Sequence, residues 1–466
     1  MGLKRYKLGD LIEVTRGQSL AGEFYAEEGK YIRLTLGNFD YANGGFKPNT
    51  SKTNLYYTGP IKEQFILEEG DIITPLTEQT PGLLGSTARI PISGTYIQSQ
   101  DVALVRCKDG MINPAFCYYL LPSSSVKKQL AAGAQQTKIR HTSPDKIRDV
   151  VVDIPDISEQ RRIGQLLDAI THKIELNRSI NQNLEALAKQ LYDYWFVQFD
   201  FPDEQGKPYK SSGGKMVWNE KLKREIPVKW EVKSLSSVAI VNQKSLSKED
   251  ILTEIEYLDT SSLTENNITE TQQIFKEEAP SRAQRKVKQR TILYSTVRPR
   301  LKHYGILCNP ASNLIVSTGF ATIDALDIRL AYYIYYVLTQ KSITEYLGSI
   351  ADTAVSSYPS INPTDLESIN VVIPDERLIK AFDETISPLY ELKEDSAKTI
   401  QTLIKQRDEL LPLLMNGQVS LNSDLSNRRR VASSPCASEL MSGWVIDVSL
   451  FIMTPNHLTV ASLTTL

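Results

Sequence analysis

Val151-Val152-Asp153-Ile154-Pro155-Asp156 is an extended run closed by Pro-Asp, and the roughly forty residues after it contain scarcely a proline or glycine. Further along, Asn370-Val371-Val372-Ile373-Pro374-Asp375 repeats the pattern and leads into a similar segment. The β-branched runs read as strands. The segment after each run reads as a helix, with Ser158 before Glu159, and Asp375-Glu376, suited to helix N-termini. Apolar residues in the first segment fall at alternating steps of four and three: Ile163, Leu167, Ile170, Ile174, Asn177, Asn181, Leu184, Ala188, Leu191, Trp195. The second carries Phe382, Ile386, Leu389, Lys393, Ser396, Ile400, Leu403, Arg407, Leu410, Leu414. A repeat averaging ~3.5 residues is the seam of a coiled coil. Both series turn polar at mid-length, at Asn177/Asn181 and Lys393/Ser396, so antiparallel pairing would join the weak centres and match the apolar ends. Gly417 is a natural stop for the second helix. Pro388 is expected to kink that helix or delay its start. About 40 residues make a rod of ~60 Å, longer than a small domain is wide.

Outward from these helices the chain is written twice. Leu8-Gly9-Asp10-Leu11-Ile12-Glu13-Val14 has the apolar rhythm of Leu235-Ser236-Ser237-Val238-Ala239-Ile240-Val241. Tyr31-Ile32-Arg33-Leu34 corresponds to Tyr257-Leu258-Asp259-Thr260, and Gly70-Asp71-Ile72-Ile73-Thr74 to Arg290-Thr291-Ile292-Leu293-Tyr294. Phe116-Cys117-Tyr118-Tyr119-Leu120 corresponds to the Tyr-rich stretch Tyr332-Tyr333-Ile334-Tyr335-Tyr336. Matched positions are separated by about 216 to 227 residues, a drift that loops of unequal length produce. Each copy holds Val, Ile, Tyr and Thr runs punctuated by Gly, Pro and Asn, which reads as an α+β module. The expected order is a globular module over 1–156, a helical spacer over 157–200 and a Pro/Gly/Lys-rich linker over 201–230. A second module over 231–374, a second spacer over 375–417 and a tail over 418–466 complete it. The expected fold is thus α+β: two tandem modules related by a pseudo-twofold, at opposite ends of an antiparallel coiled coil.

The 466 residues carry 53 Lys+Arg against 55 Asp+Glu, so any surface for nucleic acid must be local. The N-terminus lacks the apolar run of a signal peptide, and no stretch approaches the ~20 apolar residues of a membrane helix. Cys107, Cys117, Cys308 and Cys436 are scattered without a C-x-x-C pair. That spacing predicts neither a disulfide framework nor a zinc site, and a cytoplasmic location.

Several strings resemble the specificity subunits of type I restriction–modification systems: Asp153-Ile154-Pro155 with Ser158-Glu159-Gln160-Arg161-Arg162-Ile163, and the helix running to Tyr194-Trp195-Phe196. Glu225-Ile226-Pro227-Val228-Lys229-Trp230-Glu231-Val232 and the closing Leu413-Leu414-Met415-Asn416-Gly417 are others. The resemblance covers residues 4–421. The second copy departs from it, since Glu376-Arg377-Leu378-Ile379 lacks the Glu-Gln-Arg. The resemblance implies that each module is a target-recognition domain reading one half of an asymmetric, interrupted site in double-stranded DNA, with the helices setting the distance between halves. It also implies partners: two adenine-N6 methyltransferase subunits, joined by nuclease–translocase subunits.

The residues themselves offer DNA contacts. Residues 281–303 hold Arg282, Arg285, Lys286, Lys288, Arg290, Arg298, Arg300 and Lys302 and no acidic residue. Such cations neutralise phosphates, and Arg can grip guanine edges with two bonds. In the first copy Lys127, Lys128, Lys138, Arg140, His141 and Lys146 flank Gln135-Gln136, and Gln suits adenine. The loops 38–54 and 77–87 add polar groups. Catalysis finds little support. Asn113-Pro114, Asn309-Pro310 and Asn362-Pro363 are never followed by the Pro-aromatic pair that grips a flipped adenine. No Gly-rich turn suits a nucleotide or a methionine-derived cofactor, so no cofactor is expected. A nuclease-like spacing, Pro374-Asp375 then Glu391-Leu392-Lys393, falls on the second helix. The reading is a non-catalytic DNA-recognition subunit. A fused or solitary DNA-modifying enzyme and a two-module scaffold that ignores DNA remain as alternatives.

Overall fold

The computed structural model describes residues 2–41, 44–78, 82–133, 140–247, 249–353, 359–421 and 444–446. By internal contacts the chain divides into two units, Met1–Glu175 with Gln401–Leu466, and Leu176–Ile400. Both long helices, Ile157–Tyr192 and Glu376–Met415, contribute to both units.

In the first unit, Val102–Cys107 lies at the centre of an antiparallel sheet, paired with Ile12–Arg16 on one side and Ile72–Pro75 on the other. Ala88–Arg89 closes the outer edge. Val102, Ala103, Leu104 and Val105 are all buried, so the strand is covered on both faces, which is why it reads as an unbroken apolar run. A second small sheet orders Tyr25–Ala26, Tyr56–Tyr57, Tyr31–Arg33 and Tyr96–Ile97, the last pair parallel. The helices Pro114–Leu120 and Ser124–Gly133 follow the central strand. Lys4–Lys7 pairs with Val151–Ile154, tying the N-terminus to the run that leads into the first long helix.

The second unit repeats this order. Phe320–Ala325 is central, between Ala239–Val241 and Ile292–Ser295, with Tyr304–Ile306 outside. Its other sheet runs Gln272–Phe275, Glu254–Leu258, Leu314–Ser317, Ala283–Lys286; the parallel pair recurs but stands in the middle, because the fourth strand lies at the opposite edge from that of the first unit. Ala331–Leu338 and Lys341–Thr353 stand where the first unit has its helices, and Glu231–Ser234 pairs with Asn370–Ile373. The duplication seen in sequence is therefore one of topology. Even the left-handed residue before the paired strand recurs, as Gly70 (φ 86°) and Arg290 (φ 60°).

The Pro-Asp of each copy is the cap of a long helix. Asp156 Oδ1 accepts from the Ser158 and Glu159 N–H groups at 2.9 and 3.0 Å, and Asp375 Oδ1 accepts from the Leu378 N–H at 3.0 Å. The first cap is thus Asp156 rather than Ser158, whose hydroxyl donates to the same carboxylate. The Gln160 side chain accepts from the Asn113 N–H at 2.9 Å and donates to the Pro155 carbonyl at 2.9 Å, fastening this helix to the one at Pro114–Leu120.

Ile163, Leu167, Ile170 and Ile174 of the seam are buried, as are Leu403 and Leu414, all in the first unit. In the second unit Phe382 and Ile386 are buried, while Leu184, Leu191, Leu389 and Ile400 are partly covered, as is Leu410 in the first. Within the second unit the helices run antiparallel. Tyr192 meets Phe382 edge-on at 6.3 Å, Glu185 pairs with Lys393 at 2.7 Å, and the Ser396 hydroxyl donates to Asn177 Oδ1 at 3.0 Å. The polar centres do meet, through hydrogen bonds.

Two expectations need correction. Pro388 does not delay the second helix, which starts at Glu376 and continues to Met415 through both Pro388 and Pro412. Both prolines are exposed, as are Glu384 and Asp408 four residues before them, so the carbonyls left without donors can face water. Nor is the segment 201–230 a flexible spacer. Met216–Asn219 and Arg224–Pro227 form a hairpin, and Phe201 stacks on Tyr209 at 4.6 Å and on Trp230 at 5.1 Å. Its Pro and Gly residues supply turns, and aromatic residues between them anchor the turns to the core that holds Trp195, Phe196 and Phe382.

Candidate nucleic-acid interface

The basic run of the second module is divided by the fold into three places. Arg282, Arg285, Lys286 and Lys288 lie along or beside the edge strand Ala283–Lys286. Arg282 is exposed and has no side-chain partner among the described residues. Arg285 reaches Ser245 Oγ at 3.3 Å, Lys288 reaches Gln243 Oε1 at 3.2 Å, and Lys286 pairs with Asp250. The Lys286 ammonium, with bonds from Ser247, holds the Asp250 carboxyl down at about 2. An exposed cation that sequence reading missed, Lys244, belongs here: its carbonyl accepts from the Lys286 N–H at 3.1 Å. About forty residues separate it from the run, and sheet pairing alone brings them together.

Arg290 is placed differently. Its guanidinium pairs with Asp383 at 2.7 Å, donates to Ser387 Oγ at 2.8 Å and lies over the Tyr332 ring at 4.9 Å. Arg290 and Asp383 side chains are each 14% exposed, so this arginine clamps the sheet to the second long helix. The first module does the same with Arg89, which pairs with Asp168 at 2.9 Å.

The third place is a turn. Arg298 and Lys302, both left-handed (φ 48° and 59°), bracket the single 3-10 turn Pro299–Leu301. Arg300 pairs with Glu345 and Asp352 of the helix Lys341–Thr353, Asp352 foremost in raising its pKa, and Lys302 pairs with Glu265 at 2.7 Å.

In the first module Arg140 faces Glu78 at 3.6 Å across the strand pair Thr77–Glu78 and Arg140–His141. Glu78 is 1% exposed and its Oε2 accepts from the Leu83 and Leu84 N–H groups. Lys127 donates to the Gly82 carbonyl at 3.0 Å, and burial lowers its pKa. Lys128 is exposed, and Lys146 donates to the Gly133 carbonyl. Gln135, Gln136 and Lys138 lie outside the described residues, as does most of the tail. In the loop 38–54, Asn38 and Asn49 bind Thr35, a network that shapes the loop from within. The carboxylates of the nuclease-like spacing are not gathered either: Asp375 caps a helix, and Lys393 pairs with Glu185.

No helix among the described residues is long and apolar enough to cross a membrane. A family model described as "Type I restriction modification DNA specificity domain" matches residues 2–186. The MjaIX type I restriction enzyme specificity subunit of Methanocaldococcus jannaschii is 24% identical over 72% of this chain and 78% of its own length. The HindI specificity subunit of Haemophilus influenzae is 21% identical over 70% of this chain and 81% of its own. A crystal structure of the type I system S subunit from M. genitalium shares the fold, with a TM-score of 0.55 and 17% identity over 89% of this chain and 96% of that one. The chain thus matches a DNA specificity domain in its first part and is similar to type I restriction–modification specificity subunits along some seven-tenths of its length.

Proposed function

We propose that each module reads one half of an asymmetric, interrupted DNA target, and that the two long helices set the number of base pairs between the halves. The observation that carries this is the repeated topology: the same four-stranded sheet followed by two helices occurs twice, and its first occurrence matches a DNA specificity domain. Two unlike readers fit a target without a palindrome, and a pair of helices suits a ruler because DNA offers half-sites only at set separations and rotational phases. Phosphate contacts fall to Arg282, Arg285, Lys286 and Lys288 in the second module and to Lys127, Lys128 and Arg140 in the first, with Gln135, Gln136 and Lys138 beside them.

The chain in this reading performs no catalysis and docks two adenine-N6 methyltransferase subunits, which the nuclease–translocase subunits join. A second seam supports docking. Leu176, Ile180 and Leu187 on the first long helix, with Tyr194 and Val197 on the π turn Asp193–Val197 that continues it, recur at heptad spacing and are exposed, a stripe suited to a partner's apolar helix. Inserting four residues, about 6 Å of helix, near both Asn177 and Lys393 tests the ruler. Sequencing of methylated adenines in a host expressing the assembled complex is expected to show altered spacing with both half-site sequences kept. Unaltered spacing would refute it.

A further inference from the structure

The turn at residues 298–302 is held in a conformation that its residues do not favour. Two non-glycine left-handed residues fall within five positions, and such strain gathers where a ligand is met. The surroundings over-determine it. The Arg298 N–H donates to the Pro359 carbonyl at 2.9 Å, the Leu301 N–H to the Arg298 carbonyl at 2.9 Å, and the Lys302 carbonyl accepts from the Glu265 N–H at 2.9 Å. Arg300 lies across Gly348, where a Cβ would stand 2.7 Å from its Cζ, while its nitrogens pair with Glu345 and Asp352 on either side. Its Nε and one terminal nitrogen are thereby held by carboxylates of the same helix. Leu301, by contrast, is 51% exposed between cations, and a cleft of about 220 Å³ lined by Arg298, Leu301, Ala351 and Pro359 opens beside it.

The first module shows what differs here. Thr77 pairs with His141 there, and Val297 bridges Ser360 in the second, so Glu78 and Arg298 are counterparts. One copy turns a buried carboxylate inward behind Arg140, and the other carries an exposed arginine beside an exposed leucine. Opposite charge at one topological position suits two readers of different sequences.

We propose that residues 298–302 are a base-reading turn of the second module, entering the major groove with Leu301 against a thymine methyl and Arg298 beside it, while Arg300 is a positioning residue that touches no DNA. The inference rests on the two-half-site reading. The thymine methyl is the one apolar group that base edges present in that groove. An apolar tip flanked by the exposed side chains of Arg298 and Lys302 suits it, because such cations can meet the phosphates on either side.

The assembled complex with its methyltransferase subunits provides the test. Methylated-adenine sequencing first defines the wild-type target; absence of any bipartite motif would sink the underlying reading before this turn is at issue. Duplexes in which each thymine of the second half-site is replaced in turn by deoxyuridine, which lacks only the methyl, are then titrated. Wild-type affinity should fall about five- to ten-fold at one position. Leu301→Ala should lose that sensitivity while keeping its salt slope and its preference in the first half-site. Wild type indifferent to every deoxyuridine, or Leu301→Ala as sensitive as wild type, overturns the proposal. Arg300→Ala should lower the melting temperature and blunt the deoxyuridine effect, whereas Arg300→Lys should restore part of it. Should Leu301→Ala fail to assemble, Leu301→Met, which keeps an apolar tip, takes its place with a shifted rather than absent response.

Discussion

Arg290 shows how one residue's role turns on its neighbours. In sequence it is one cation in an acid-free run, yet the fold spends it on Asp383, Ser387 and the Tyr332 ring. Removing one partner of a covered ion pair leaves the other charge uncompensated. Arg290→Ala should therefore cost about 2–4 kcal/mol in denaturant unfolding while leaving the salt slope of DNA binding unchanged. The half-buried pair of Lys286 and Asp250 responds to pH instead. Asp250 titrates lower folded than unfolded, so its contribution is fully present above roughly pH 4 and is lost as pH falls through about 2. In Lys286→Met, the Asp250 midpoint followed by carboxyl NMR shifts should rise. It should not rise all the way, because the Ser247 N–H still donates to it at 2.8 Å. An unmoved midpoint would show that Lys286 is not the cause.

Among elements, the long helices were the most legible. Their heptad spacing, their start after Pro-Asp and the meeting of their polar centres all follow from the side-chain period. Pro388 does not delay its helix, which periodicity could not foretell because it does not say which way a carbonyl faces. Here Pro388 and Glu384 are both exposed, so water can reach a carbonyl left without its donor. Pro388→Ala supplies that donor and should raise stability by about 1–3 kcal/mol in chemical denaturation. A fall would mean that the proline ring, not the lost bond, matters there. The segment 201–230 was misread for the opposite reason. Its glycines and prolines resemble those of a tether, but Phe201 and Trp230 stack, and stacking between residues so far apart carries no local signature. The small sheets were legible only as β-rich, since strands of two to four residues have too few alternations to set register.

At the scale of the molecule, 53 basic against 55 acidic residues leave no net field to draw DNA, so binding must come from a few placed cations. Replacing Arg282 and Lys288 by Ala should lower the slope of log K against log salt by about two, uniformly across DNA sequences. A slope unchanged in the assembled complex would remove that edge from the interface. What the amino-acid sequence determined alone was the plan: two copies, two heptad helices and a basic run in the second copy, all set by spacing and composition along the chain. Which cation lies on a sheet edge, which clamps a helix and which sits in a strained turn was decided only by tertiary structure. Those roles depend on partners forty to a hundred residues away, Lys244, Asp383 and Glu345 among them, and distance through space is not written in distance along the chain.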